Sequence, residues 1–544
     1  MPHNKRPISL TNKRPSDRSL QNQQDFKRYR QNPPNQRGGQ RINHIALNKN
    51  ITDLSRGYGH ASQKIESLWT FFECNYKNFD EVNTATFLHR LASLAKYDKS
   101  LQNQIQQNEG FPYLLRLIEK YAPRFNHRGL ANSIWAFAKL GCRDGQVPRP
   151  LIQAFSSTNY FAFNPQNLAN SIWAFAKLGC RDKQVPRPLI QALSSADYSS
   201  FNPQELANSI WAFAKLGCRD DQVPRPLIQA FSSTNYSRFE PQGLANSIWA
   251  FAKLGCRDEQ VLRPLIQAFH TRQDYSNFNP QNLANSIWAF TKLGCRDEQV
   301  LQSLVQAFSS ANYSRFNPQE LANSIWAFAT LGCRDDHVLR PLIQAFSSAN
   351  YSNFNPQNLA NSIWAFAKLG YRDEQVPQHL IQAFSSTNYS NFNPQNLANS
   401  IWAFATLGNR DDQVLQPLIH AFSSADYSNF QPQNLANSIW AFATLGCRDE
   451  QVLQPLIQAF SSVDYSSFDS QGLANSILAF AKLGCRDDQV PQPLIQAFSS
   501  ADYSTFNPQG LANSIWAFAK LGCRDDQVLQ PLIHAFSSAD YSRF

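Results

Sequence analysis

The stretch NPQNLANSIWAFAKLG, residues 164–179, recurs eleven times along the chain with few changes. Asn164 is a natural N-cap, and Pro165 suits the first helical position, where no backbone donor is needed. Gly179 suits a left-handed C-cap. At 100° per residue, Phe175, Leu168, Ile172, Ala176, Ala169 and Trp173 share one arc, which reads as a core face. Ser171, Asn167, Ala174, Asn170 and Lys177 share the other, a small polar face. The turn Cys180-Arg181-Asp182 then leads into a second helix from Val185 to about Ser194. Pro186 and Pro188 fall in its first turn, where they are tolerated. Val185, Leu189, Ile190 and Leu193 form its apolar stripe, and Ser195 to Ser200 loop into the next copy.

Outward from this segment the period is regular. Trp135, Trp173, Trp211, Trp249, Trp288, Trp326, Trp364, Trp402, Trp440, Leu478 and Trp516 are equivalent, each 38 residues from the last except for the 39 between Trp249 and Trp288. The extra residue lies around His270-Thr271-Arg272-Gln273. A unit that cannot bury its own apolar face must stack on its neighbours. The spacing therefore predicts an all-α, right-handed α-solenoid of about eleven to twelve two-helix repeats, eleven of them over residues 126–544.

Residues 61–125 read as a degenerate capping repeat. Phe87 to Lys96 aligns with Leu130 to Lys139 without the tryptophan, and Leu114, Leu115, Leu117 and Ile118 belong to its second helix. Residues 1–60 are poor in aliphatics and read as a disordered basic tail. Its clusters Lys5-Arg6, Lys13-Arg14 and Lys27-Arg28-Tyr29-Arg30 suit a nuclear-localisation-like signal, a non-specific nucleic-acid arm or a merely solvated segment. At the far end the sequence stops at Phe544, where another Phe-Asn-Pro-Gln would begin. Either the array ends bare there or the sequence is truncated.

The chain's net charge of +10 is concentrated in the tail: residues 1–50 hold 11 Lys/Arg and two Asp, and the remaining 494 hold 39 Lys/Arg and 38 Asp/Glu. Anion binding by the array must then come from how its charges are placed. Nine of the ten cysteines, from Cys142 to Cys523, directly follow the Leu-Gly of a repeat. Stacked helices would hold them about 10 Å apart, too far for a disulfide, and one per repeat cannot build a zinc tetrad. Tyr371 and Asn409 take the same place, so a thiol is not required there. The expectation is a small half-buried side chain in a reducing, intracellular compartment. No run approaches the apolar length of a membrane span, and the N-terminus lacks a secretory h-region.

Near-identity makes the variable positions informative. At the head of the polar face stand Gly129, Asn167, Glu205, Gly243, Asn282, Glu320, Asn358, Asn396, Asn434, Gly472 and Gly510. Beside them is a constant asparagine: Asn132, Asn170, Asn208, Asn246, Asn285, Asn323, Asn361, Asn399, Asn437, Asn475 and Asn513. One turn on are Lys139, Lys177, Lys215, Lys253, Lys292, Lys368, Lys482 and Lys520, replaced by Thr330, Thr406 and Thr444. One reading is structural: the variable site is the third helical position, where Glu or Gln completes a capping box, and the asparagines form a ladder. The other is a reader of a polymer, with amide or carboxylate telling base edges apart, Gly making room and Lys meeting phosphate.

The 164–179 segment resembles the octotricopeptide repeat, a 38-residue two-helix unit with a Leu-Ala-Asn-Thr-Leu-Trp-Ala-Leu-Ala-Lys-Leu-Gly core, and the likeness recurs in each repeat of residues 126–544. The resemblance implies single-stranded RNA binding in RNA stability, processing or translation. Family repeats often begin with several prolines where this chain has one, and the nuclease-like RAP domain of many members is not visible here. Together these readings predict a monomeric, sequence-specific RNA-binding protein taking about one nucleotide per repeat. No catalytic residue, metal or cofactor is expected. Other proteins are possible partners, and the alternative function is a protein-interaction scaffold.

Overall fold

In the computed structural model, residues 43–180, 187–272, 275–295, 297–485 and 490–539 are described. They are helical throughout, with 3-10 turns and no strand among them. The chain divides into two compact units, residues 1–124 and 125–544.

The first unit contains α1 (His44–Arg56), α2 (Ala61–Asn75), α3 (Glu81–Ala95), α4 (Lys99–Gln107) and α5 (Phe111–Tyr121). Trp69, Phe72, Phe79 and Phe87 pack edge-on and stacked at 4.8–5.7 Å between centroids. Leu114 and Ile118 of α5 are buried. The reading of residues 1–60 as wholly disordered needs correction at α1. This helix packs on α3, buries Ile51 completely, and its His44 carbonyl accepts a bond from Asn83 Nδ2 at 2.9 Å. Composition averaged over sixty residues hid it, because the surface that orders this helix is supplied by α3, outside that stretch. The basic clusters at residues 5–30 lie outside the described residues.

In the second unit every repeat has a first helix, from His127–Lys139 to Pro508–Leu521, and a second helix, from Arg149–Ser157 to Asp526–Ser537. Each first helix packs side by side on those of the flanking repeats, and the second helices make a looser second layer. This is the stacking of a solenoid. Between the layers, Phe155 meets Phe175 of the next repeat edge-on at 5.3 Å, and Phe231 meets Phe251 at 5.0 Å. Each fully buried phenylalanine contributes about 1.5–3 kcal/mol to that adhesion.

Local chemistry explains the ends. Asn164 Oδ1 accepts the Asn167 N–H at 2.9 Å, Pro165 opens the helix, and Gly179 closes it at φ +87°. The Cys180 N–H then donates back to the Phe175 carbonyl at 3.2 Å, which completes a Schellman closure. At this position the backbone N–H does the work, so Tyr371 and Asn409 serve as well as Cys, their N–H groups bonding to Phe366 and Phe404.

In the 163–200 repeat the second helix is described from Arg187 to Ser194, and the predicted Val185 and Pro186 lie outside the described residues. Where Val-Pro precedes it, as at Val147-Pro148 and Val223-Pro224, the proline is the N-cap and the helix begins after it. The residue before a proline avoids the α region. Where Leu replaces that proline, the helix begins four residues earlier with an aspartate cap, as at Asp335 and Asp411. The expected loop into the next repeat is ordered too. Tyr198 Oη donates to the Leu193 carbonyl at 2.7 Å and locks a 3-10 turn against the second helix.

Candidate nucleic-acid interface

The two-arc reading of the first helix is corrected by its neighbours. Asn167, Ser171 and Ala174, placed on the polar face, are all buried. The accessible residues of this helix are Gln166, Asn170, Trp173 and Lys177 beside Pro165. They follow one another at i, i+4, i+7 and i+11, a stripe about 60° wide. A first helix is covered by its own second helix and by a first helix on each side, so only this strip meets solvent.

The variable position faces the seam between repeats. A Cβ added at Gly243, Gly472 or Gly510 would stand 3.7–3.8 Å from Ala207, Ala436 or Ala474 of the preceding first helix. Asn167, Asn282, Glu320, Asn358, Asn396, Asn434 and Gly472 are buried, while Gly129, Glu205, Gly243 and Gly510 are half-buried. Of the seven positions that carry a side chain, five act as caps: Glu205, Glu320, Asn358, Asn396 and Asn434. The Asn202 N–H donates to Glu205 Oε2 at 2.8 Å, and the Glu205 N–H returns a bond to Asn202 Oδ1 at 3.0 Å. Asn317 and Glu320 repeat this, and Asn358, Asn396 and Asn434 accept the cap N–H through Oδ1 at 3.1–3.4 Å. Burial lifts the Glu205 and Glu320 carboxyls above the usual range, opposed by those bonds. The capping alternative therefore describes what this side chain does in those five repeats.

The other two predicted rows reach the stripe. Asn132, Asn170, Asn208, Asn246, Asn323, Asn361, Asn399, Asn437, Asn475 and Asn513 are half-buried, and Asn285 is buried. Lys177, Lys215, Lys253, Lys292, Lys368, Lys482 and Lys520 are exposed, and Lys139 is half-buried.

What the wheel missed is the tryptophan. Placed in the core, it is half-buried in most repeats and lies between the asparagine and the lysine. From Trp173 to Trp440 each ring leans on the next, with centroids 6.3–6.4 Å apart and planes inclined by 32–41°. Leu478 interrupts this ladder, and Trp516 beyond it is 48 % exposed. The signal was present in the sequence, since Trp173 sits at the edge of its arc. The exposed Gln166 and its equivalents complete the track, and Gln433 Nε2 bonds to Asn437 Oδ1 at 3.0 Å.

Stacked two-helix repeats with one polar and aromatic track define an α-solenoid repeat protein. A family model described as RNA-editing substrate-binding complex 6 protein matches residues 226–526, more than half of the chain, and the chain belongs to that family. No curated protein matches it. Among solved structures it is similar to a chain of a homology model of the full-length AP-3 complex in an intermediate open conformation. The two are 10 % identical over 95 % of this chain and 88 % of that one, with a TM-score of 0.33. A likeness that weak carries no argument about fold or function.

Proposed function

We propose that this protein binds single-stranded RNA along the stripe of its first helices and works as a non-catalytic member of an RNA-handling assembly. The tryptophan ladder carries the proposal. Every base has a π-face, and stacking on aromatic side chains beside cationic groups is how proteins track single strands. Asparagine and glutamine amides flank the rings as donors and acceptors for base edges. The lysines past each ring suit the backbone phosphates. The name of the family and the likeness to octotricopeptide repeats both fit an RNA ligand.

One nucleotide per repeat is the register that a single ring per repeat offers. Because the exposed residues are nearly the same in every repeat, the track favours sequence-tolerant binding over a base-by-base code. The test is titration of the full chain with a labelled, mixed-sequence single-stranded RNA of roughly a dozen nucleotides, followed by tryptophan fluorescence at several salt concentrations. Binding with quenching and a negative salt slope is expected. No binding at low salt would overturn the proposal. Enrichment of one motif from a random pool would restore sequence-specific reading.

A further inference from the structure

The neutrality of the array conceals a charge separation. Residues 125–315, the first five repeats, hold 19 Lys/Arg and 12 Asp/Glu, a net of +7. Residues 316–544, the last six, hold 11 Lys/Arg and 18 Asp/Glu, a net of −7. Packed helices stand about 10 Å apart, so the centres of the two halves are several Debye lengths from one another at physiological salt, where that length is about 8 Å. A bound polyanion meets each half separately, and the overall sum does not describe either.

The same split runs along the stripe. All of the first five repeats carry Lys past the tryptophan, from Lys139 to Lys292, whereas three of the last six carry Thr330, Thr406 and Thr444. These side chains differ in what they offer a ligand. Lys139 Nζ reaches across the seam and lies 4.4 Å from the Trp173 centroid and 5.5 Å from that of Trp135. Thr330 and Thr406 fold back, each Oγ1 donating to the carbonyl of its own tryptophan at 2.8 Å. On the second helices, Arg149, Arg187, Arg225 and Arg263 are exposed in the first four repeats. Gln takes that place in every later repeat except the one with Arg340.

We propose that the track is polarised: residues 125–315 grip the RNA backbone through the unbroken Lys139-to-Lys292 row, and the acidic half, which keeps only Lys368, Lys482 and Lys520 of that row, holds it more weakly. This rests on the RNA reading above. It follows that the strand is anchored at one end of the array, and that its occupancy of the other depends mainly on stacking.

Two triple variants of the full chain test this against the same labelled RNA. K177T/K215T/K253T installs the residue that three repeats already carry, so the helices are retained. K368T/K482T/K520T makes the same change in the acidic half. The first should reduce the salt slope by about 2 units, at ~0.7 per phosphate contact, and raise Kd roughly tenfold or more. The second should lower the slope and raise Kd by clearly less than the first, because the net negative charge of that half opposes each phosphate contact. Equal losses from both would overturn the polarity and leave the RNA reading standing. A wild-type chain that binds no RNA would overturn the reading itself. The converse variant T330K/T406K/T444K should tighten binding and steepen the slope; no gain from it would also overturn the proposal.

Discussion

Lys139 Nζ stands 4.4 Å from the ring centroid of Trp173, the tryptophan of the following repeat. The cation of one unit and the aromatic face of the next therefore form one surface element across the seam. A contact of this kind is worth about 0.5–1 kcal/mol when exposed, too little to hold the array together against its buried phenylalanines. Its consequence is placement: charge and ring alternate along the stripe.

Replacing Trp249 by Leu should leave the fold intact, because Leu478 already fills the equivalent place as a buried residue. The loss of one stacking face should weaken RNA binding by about 1–3 kcal/mol. Circular dichroism checks the first expectation and fluorescence anisotropy of labelled RNA the second. Unchanged affinity would remove stacking from the mechanism.

Glu320→Gln should alter how stability depends on pH. Burial lifts the Glu320 carboxyl, with the Asn317 bonds pulling it down. A carboxyl whose pKa is raised in the folded state favours folding while protonated, and that contribution disappears as the pH climbs through the raised value. Glutamine can still accept the Asn317 N–H and carries no charge. Wild type and variant should melt alike near pH 4, with the variant gaining relative to wild type by about pH 7. An advantage that shrinks with rising pH would refute the sign.

The Tyr-to-carbonyl locks predict alkaline unfolding. Burial raises the phenols of Tyr160, Tyr198, Tyr236 and their equivalents, and that of Tyr503 to about 12. Raised values mean stability that is complete below about pH 10 and lost above it as the unfolded chain ionises first. Tyrosinate absorbance and loss of helical signal should rise together. Tyr389→Phe, which deletes the 2.9 Å bond to the Phe384 carbonyl, should cost about 1–3 kcal/mol because the carbonyl is left without it.

Thiol reactivity should separate Cys74 from the repeat cysteines. Cys74 is exposed and Cys142 is buried, and burial pushes the Cys142 thiol up to about 11. Since the thiolate is the reactive form, an alkylating reagent at neutral pH should modify Cys74 quickly and Cys142 only after unfolding. Mass spectrometry of a timed reaction reads this directly.

Much of the fold was legible because it is local. The Asn164 cap, the Pro165 start, the Gly179 stop and the apolar period all lie within one repeat, and each works through bonds to residues a few positions away. The start of the second helix follows an equally local rule, the effect of Val-Pro on the backbone before it, as at Val147-Pro148 and Val223-Pro224. The site was less legible. The Asn and Lys rows follow from the helical period, but the Gly/Asn/Glu row was ambiguous between cap and reader, and the tryptophan was assigned to the core.

The sequence alone determined the repeat, its two helices, their caps and the neutral sum of the array, since these depend on periodicity and short-range bonding. Only the tertiary structure decided which strip of each first helix meets solvent. A lone amphipathic helix has one buried face, but one stacked between two copies of itself and covered by a second helix has three. That geometry takes Asn167, Ser171 and Ala174 out of water, leaves Gln166, Asn170, Trp173 and Lys177 in it, and brings the tryptophans of successive repeats into one ladder.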